Sequence, residues 1–207
     1  MKIKAILFDL DGVLIDATEW HYEALNRALG LFGYRITRYE HLTSYNGLPT
    51  RKKLEILSVE KGLPRGLHQM LNRIKQKYTR EEILTRCTPF FEKEFMINQL
   101  KRDGYLIGCC SNSIRDSVKL MLDASGILPL FDVIVSNEDV SKPKPDPEIY
   151  LSACKTLGIA PREAVMVEDA AYGIQSAHAS GGHVCEVSGF PEVDYYRITE
   201  FIREVEK

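Results

Sequence analysis

The chain's hydrophobic and polar positions fall into two patterns. Lys4-Ala5-Ile6-Leu7-Phe8, Tyr105-Leu106-Ile107-Gly108-Cys109-Cys110, Asp132-Val133-Ile134-Val135, Ala164-Val165-Met166-Val167 and His183-Val184-Cys185-Glu186-Val187 are short, mostly apolar runs. Such runs predict strands buried on both faces of a parallel sheet. Between them apolar residues recur at helical spacing. Phe91 to Arg102 ends at Asp103-Gly104, Arg115 to Ala124 follows, and Ala170 to Ser180 stops at Gly181-Gly182. Asp146-Pro147 opens a helix to Leu157 with cap and first-position proline in their favoured order. A last helix covers Ile198 to Glu206.

From residue 16 to the mid-80s the pattern is helical throughout. Asp16-Ala17-Thr18-Glu19 has the spacing of a capping box, and Ala24, Leu25, Ala28, Leu29 and Phe32 then share one face before Gly33. Thr50 to Lys61 carries Leu54, Ile56 and Leu57 and closes at Gly62. Leu67 to Tyr78 aligns Leu67, Met70, Leu71 and Ile74. Strands alternating with helices predict an α/β protein with a doubly wound parallel sheet, built from residues 1–15 and 87–207. The all-helical insertion, residues 16–86, follows the first strand directly. It therefore belongs above the carboxyl edge of the sheet, where ligands bind and where a lid sits.

At 207 residues the chain can bury a real core, and 27% charged with 44% apolar residues is an ordinary globular balance. A formal net charge of −2 with no long basic run disfavours nucleic acid as a partner. No apolar stretch reaches membrane-spanning length, and Met1-Lys2-Ile3-Lys4 leads into a strand rather than a secretory signal. The cysteines, Cys87, Cys109, Cys110, Cys154 and Cys185, are odd in number and lack paired metal-ligand spacing. They are expected to be reduced, which suits a cytoplasmic protein.

The chemistry-bearing residues gather at predicted strand ends. The first strand stops at Asp9-Leu10-Asp11-Gly12. Alternate residues of an extended chain point the same way, so both carboxylates can face one pocket, and they repel unless a cation or a proton intervenes. An Asp-Gly turn with a capping aspartate accounts for one acid and not for the pair. A calcium loop needs Gly where Leu14 stands and Glu where Trp20 stands. Ser111-Asn112-Ser113 sits between a strand and a helix, where hydroxyls and free N–H groups suit a phosphate, although Ser113 can equally serve as a simple N-cap. Ser141-Lys142-Pro143-Lys144-Pro145-Asp146-Pro147 is held extended by its prolines, and alternation points Lys142 and Lys144 in different directions. The fourth strand ends at Glu168-Asp169. Carboxylates from separate strands, with water and a phosphate oxygen, make the all-oxygen shell that Mg²⁺ prefers. Asp169 can also cap the following helix.

In that order, Asp9-Leu10-Asp11-Gly12-Val13, Ser111-Asn112-Ser113, Ser141-Lys142-Pro143 and Glu168-Asp169 resemble the four motifs of the haloacid dehalogenase-like superfamily. The helical insertion and Glu168-Asp169-Ala170-Ala171-Tyr172-Gly173-Ile174 are similar to its β-phosphoglucomutase and phosphoglycolate phosphatase branch. The resemblance implies Asp9 as nucleophile and Asp11 as general acid, then base. It implies Ser111, Asn112 and Lys142 around the phosphoryl group, with Lys142 the inward lysine. It also implies Mg²⁺ on the Asp9 carboxylate, the Asp11 main-chain carbonyl, Asp169 and Glu168. The expected reaction is hydrolysis of a small phosphomonoester, a sugar, polyol or similar metabolite phosphate, by a monomer through an aspartyl-phosphate. A phosphosugar mutase is the alternative, and a non-catalytic binding protein of the same fold a third. Trp20, His21 and Arg51 are the expected substrate contacts of the cap. Against the mutase pattern stand one extra residue between Gly47 and Arg51, Ala17 at a hinge threonine position and Ile74 in place of a lid lysine. Lost cationic contacts weaken the grip on a bisphosphate.

Overall fold

The computed structural model describes residues 2–207. The strands β1 (Ala5–Phe8), β2 (Leu106–Cys110), β3 (Val133–Val135), β4 (Ala164–Glu168) and β5 (His183–Glu186) form one five-stranded sheet in the order β3-β2-β1-β4-β5. All four pairings are parallel. The chain builds outward from β1 to β3, then crosses back to place β4 on the other flank of β1. Strand order reverses there, and such a reversal opens a crevice at the carboxyl ends.

Side-chain alternation splits the core into two layers. Ile6, Phe8, Ile107, Cys109, Val165 and Val167 pack with Met96, Ile97 and Leu100 of α5 (Phe91–Arg102), Val118, Met121 and Leu122 of α6 (Arg115–Ala124), and Ile198 and Ile202 of α9 (Tyr195–Glu206). Ala5, Leu7, Cys110, Val133, Val135 and Met166 pack with Ile149, Tyr150 and Ala153 of α7 (Glu148–Leu157) and Ala177 of α8 (Ala171–Ser180). All five cysteines are free thiols, and four of them are buried.

The insertion holds α1 (Thr18–Gly30), the single turn α2 (Arg38–Glu40) running into a π-helical turn (His41–Tyr45), α3 (Thr50–Lys61) and α4 (His68–Arg86). Leu25, Leu29, Ile36, Tyr45, Leu54, Leu57 and Leu71 make a cluster of its own. Trp20 and Ile83, near its two ends, belong instead to a layer of the sheet.

Several local expectations change. The capping box at Asp16 does not form: α1 begins after Ala17 with no side-chain cap, and Glu19 pairs with Arg38 at 2.8 Å. Ala17 is fully buried, so packing rather than a cap fixes the entry. The capping box sits instead at Thr37 and Glu40. Helix α4 runs past Tyr78 to Arg86, and its buried stripe is Leu71, Lys75, Thr79 and Ile83 while Met70 is exposed. Asp146 precedes α7 by one residue more than expected, and its Oδ1 accepts the Glu148 N–H at 3.0 Å.

Candidate active site

Asp9 continues the sheet pairing past β1, its N–H donating to the Val167 carbonyl at 3.0 Å. That pairing carries its side chain to the crevice between β1 and β4, where it is buried. Asp9 Oδ1 accepts from Lys144 Nζ at 2.7 Å. Asp11 faces different partners, with His21 Nε2 2.9 Å from its Oδ1 and the Ser113 hydroxyl donating to its Oδ2 at 2.8 Å. Gly12 turns at φ +91°, and a Cβ there would lie 2.2 Å from Asp169 Oδ2. The turn thus supplies a left-handed backbone and room for a carboxylate at once.

The inward lysine is Lys144, not Lys142. Lys144 is 3% exposed and donates to Asp9 Oδ1, to Glu168 Oε1 at 2.6 Å and to the Cys110 carbonyl at 2.7 Å, using all its protons. Burial disfavours its charge, but Asp9 and Glu168 outweigh that and raise its pKa. The Lys142 side chain is 73% exposed and lies 4.0 Å from Asp146. Glu148 causes the difference: its carboxylate accepts the N–H groups of Ser141 and Lys142 and the Ser141 hydroxyl, each within 2.9 Å, fixing that end of the loop outside. Alternation separates the two lysines as expected, and the anchoring at Glu148 decides which one enters.

Ser111 is buried, with its Oγ accepting the Ser113 N–H at 3.0 Å. Asn112 is a clamp: it accepts the Lys144 N–H at 3.0 Å and donates to the carbonyls of Lys144 and Gly47 at 3.2 and 2.9 Å. Ser113 holds Asp11 rather than capping α6, whose N-cap is Ile114. Asp169 caps nothing either, the N-cap of α8 being Ala170.

Asp9, Glu168 and Asp169 each bring a carboxylate oxygen within 4.8 Å of the others. Glu168 also accepts from the Tyr150 hydroxyl, yet its Oε2 and Asp169 Oδ1 are buried with no hydrogen-bond partner among the described residues. A Cβ on Gly173 would stand 2.1 Å from Glu168 Oε2, so α8 approaches the acid as closely as a helix can. Burial pushes the Asp169 carboxyl up to about 7 and Glu168 up to about 8, with the Asp9 charge adding to both. Asp9 is raised for the same reason, opposed by Lys144. Orphaned oxygens in so negative a pocket are the donor set of a hard divalent cation. The Asp11 carboxylate is turned away from this cluster by His21 and Ser113.

A cavity of about 140 Å³ joins this wall to the cap, lined on the cap side by His21, Asn46, Gly47, Arg51, Lys53, Asn72, Lys75 and Gln76. Lys75 Nζ lies 3.2 Å from His21 Nδ1. An ammonium can only donate, so Nδ1 accepts and Nε2 carries the proton given to Asp11. Burial holds the imidazole below its ordinary pKa. Burial pushes Asp11 up, but His21, Ser113 and the Lys75 charge outweigh it and hold the carboxyl at about 2. Arg51 reaches only the rim, its side chain 88% exposed and its Nε 3.5 Å from Glu55. Trp20 is not in this cavity. It lines another, of about 190 Å³, with Ile15, Arg86 and Phe190, under the Arg86 guanidinium at 5.7 Å. The expected loss of cap cations does not hold: Ile74 is followed by Lys75, one residue on, and Lys53 joins it. Neither stands out in the sequence, although each lies at helical spacing with apolar residues that face inward, Lys75 with Leu71 and Lys53 with Leu57.

The site is that of an α/β enzyme, with a buried acid, a buried lysine and an acidic cluster gathered at the ends of its strands. A model of the haloacid dehalogenase-like hydrolase family matches residues 6–187. The chain belongs to that family and is a phosphatase. A pyrophosphatase, PpaX, of Bacillus velezensis is 30% identical over 181 residues, 87% of this chain and 81% of its own. A phosphoglycolate phosphatase of Nitrosospira multiformis is 27% identical over 93% of this chain and 86% of its own. The crystal structure of β-phosphoglucomutase from Clostridium difficile superposes with a TM-score of 0.85 over 98% of both chains. At 23% identity that likeness speaks for the fold. No helix among the described residues is long and apolar enough to cross a membrane.

Proposed function

We propose that this protein is a Mg²⁺-dependent phosphatase of a small phosphomonoester, acting through an aspartyl-phosphate on Asp9, with residues 16–86 as the lid over the site. The observation that carries the reading is the division of labour between the two acids. Asp9 is tied to the Lys144 ammonium at 2.7 Å and stands beside the Glu168-Asp169 cluster, while Asp11 is held apart from that cluster by His21 and Ser113. A Mg²⁺ ion held by Asp9, Glu168 and Asp169 would neutralise phosphoryl charge and relieve the repulsion among the carboxylates.

An Asp9 carboxylate oxygen attacks phosphorus, forming the acyl-phosphate bond as the ester P–O bond breaks. Asp11 delivers its proton to the departing alkoxide. Held low in the free protein, Asp11 acquires that proton when the charge of a bound phosphoryl group arrives beside it. Once ionised, it takes a proton from the water that splits the acyl-phosphate, releasing inorganic phosphate and restoring Asp9. Lys144 offsets charge at the reacting centre.

Relatives named for pyrophosphate and phosphoglycolate, both small, support a small substrate. The test is Mg²⁺-dependent hydrolysis of p-nitrophenyl phosphate by the wild type and Asp9→Asn. The reading expects activity in the first and none in the second, and persistence in the variant would overturn it. Lys53 and Lys75 favour a second reading, phosphoryl transfer within a hexose 1-phosphate. Conversion without release of inorganic phosphate would establish that one instead.

A further inference from the structure

Away from the cavity, α5 and the start of α9 leave aromatic rings open to solvent. Phe91 is 73% exposed and Tyr196 74%, and Phe95 is exposed between them. The rings are continuous. Phe91 stacks on Phe95 with centroids 6.0 Å apart, Phe95 meets Tyr195 edge-on at 6.3 Å, and Tyr195 meets Tyr196 at 5.7 Å. Tyr195 is pinned, its hydroxyl donating to Asp103 at 2.7 Å. Exposed apolar residues scattered singly are ordinary, but a fixed run of rings marks an interaction surface. The charges beside the stripe are antisymmetric along α5, with Glu92 and Glu94 in its first turn and Lys101 and Arg102 in its last. Glu92, Glu94 and Arg102 are exposed and make no ion pair among the described residues, although Glu92 has the Lys93 charge nearby. Lys101 holds Asp132 at 2.8 Å, and Asp103 is taken by Tyr195. Acids first and bases last also suit the dipole of the helix itself. That leaves Phe91 and Phe95 unexplained, and helical spacing sets them on one face with Asn98 and Arg102.

We propose that this face pairs with a second copy of the chain, α5 lying antiparallel to its counterpart across a two-fold axis, so that the protein is a dimer rather than the monomer expected from its sequence. A two-fold contact sets one patch against itself. A helix with unpaired acids at one end and an unpaired base at the other complements itself only when antiparallel. With the axis near the middle of α5, Phe95 packs beside its symmetry mate, Glu92 reaches the partner's Arg102, and Phe91 lies under the same guanidinium. A foreign protein has no need of that antisymmetry. None of these residues lines the active-site cavity, so each copy keeps its own site.

The experiment is sedimentation velocity of the full chain from low micromolar to a few hundred micromolar. The wild type is expected to pass from one chain to two across that range. Phe95→Ser is expected to raise the dissociation constant about 30-fold or more, the loss of a central aromatic anchor. Arg102→Glu is expected to raise it about tenfold, and adding Glu92→Arg to that variant to return it most of the way. Far-UV circular dichroism matching the wild type shows each variant folded. A wild type that sediments as one chain throughout overturns the proposal and leaves the stripe to a different protein. A dimer indifferent to Phe95→Ser, or one weakened by Arg102→Glu that the charge reversal does not rescue, overturns it as well.

Discussion

The two walls of the cavity are built on opposite electrostatic principles. On the sheet side almost every charge has a partner: one ammonium bridges two carboxylates and a carbonyl, and a histidine and a serine share the other acid. The exceptions are the orphaned oxygens of Glu168 and Asp169, which fit a cation. On the cap side two buried lysines, Lys53 and Lys75, make no direct ion pair among the described residues and have only the more distant charge of Asp11 to offset them. A preorganised wall suits a reaction whose charges arise at the same place each time. Burial on the cap wall leaves two ammonium groups poorly compensated, which costs stability in the folded protein.

Substitutions can break this contrast, beginning on the sheet side. Asp9→Asn removes the nucleophile and is expected to cost at least about 10⁴-fold in kcat, measured by phosphate release. Lys144→Met is expected to cost about 10³-fold. It also lowers the thermal midpoint, because Asp9 and Glu168 then face each other unshielded. Lys142→Ala is the control, with stability within about 0.5 kcal/mol of wild type, since its side chain is in solvent. Intermediate effects are expected at the acid's supports. His21→Ala and Ser113→Ala should each lower kcat about 10- to 100-fold and move the acid limb of the kcat profile, because Asp11 loses donors that favour its ionised form. Gly173→Ala forces a methyl against Glu168 and is expected to destabilise by about 2 kcal/mol in denaturant unfolding.

The smallest effect concerns the cap's own pH dependence. His41 is buried, with its imidazole pushed down to about 4 by burial and by the nearby Lys53 charge. The unfolded chain binds its proton near pH 6.5, before the folded one does. The stability due to neutral His41 is therefore present above pH 6.5 and lost as pH falls toward 4. Thermal midpoints measured across that window should fall, and His41→Gln should flatten the slope.

Much of this was legible in the chain. The strands announced themselves as apolar runs, and Asp9-Leu10-Asp11-Gly12 and Glu168-Asp169 lie at strand ends whatever the loops do. The lysine was not legible. Lys142 and Lys144 flank Pro143, and what selects between them is Glu148, which ties down Ser141 and Lys142 from the start of α7. That is a tertiary bond no spacing rule contains. The cap cations were hidden differently: a lysine on a helix reads as solvated, and Lys75 is recognised only once Leu71, Thr79 and Ile83 are seen to share its buried stripe. The role of Ser113 was not legible because a serine ahead of a helix suits a phosphate or a cap equally well. Here its hydroxyl is taken by Asp11 from a different strand.

The most direct test of the central claim is rapid-quench mass spectrometry of the enzyme during turnover of a phosphomonoester with Mg²⁺. The account predicts one phosphoryl group per chain, on the peptide containing Asp9 and fragmenting at Asp9, and none in Asp9→Asn. A turning-over enzyme with Asp9 unmodified, or with the phosphoryl group on another residue, would contradict it.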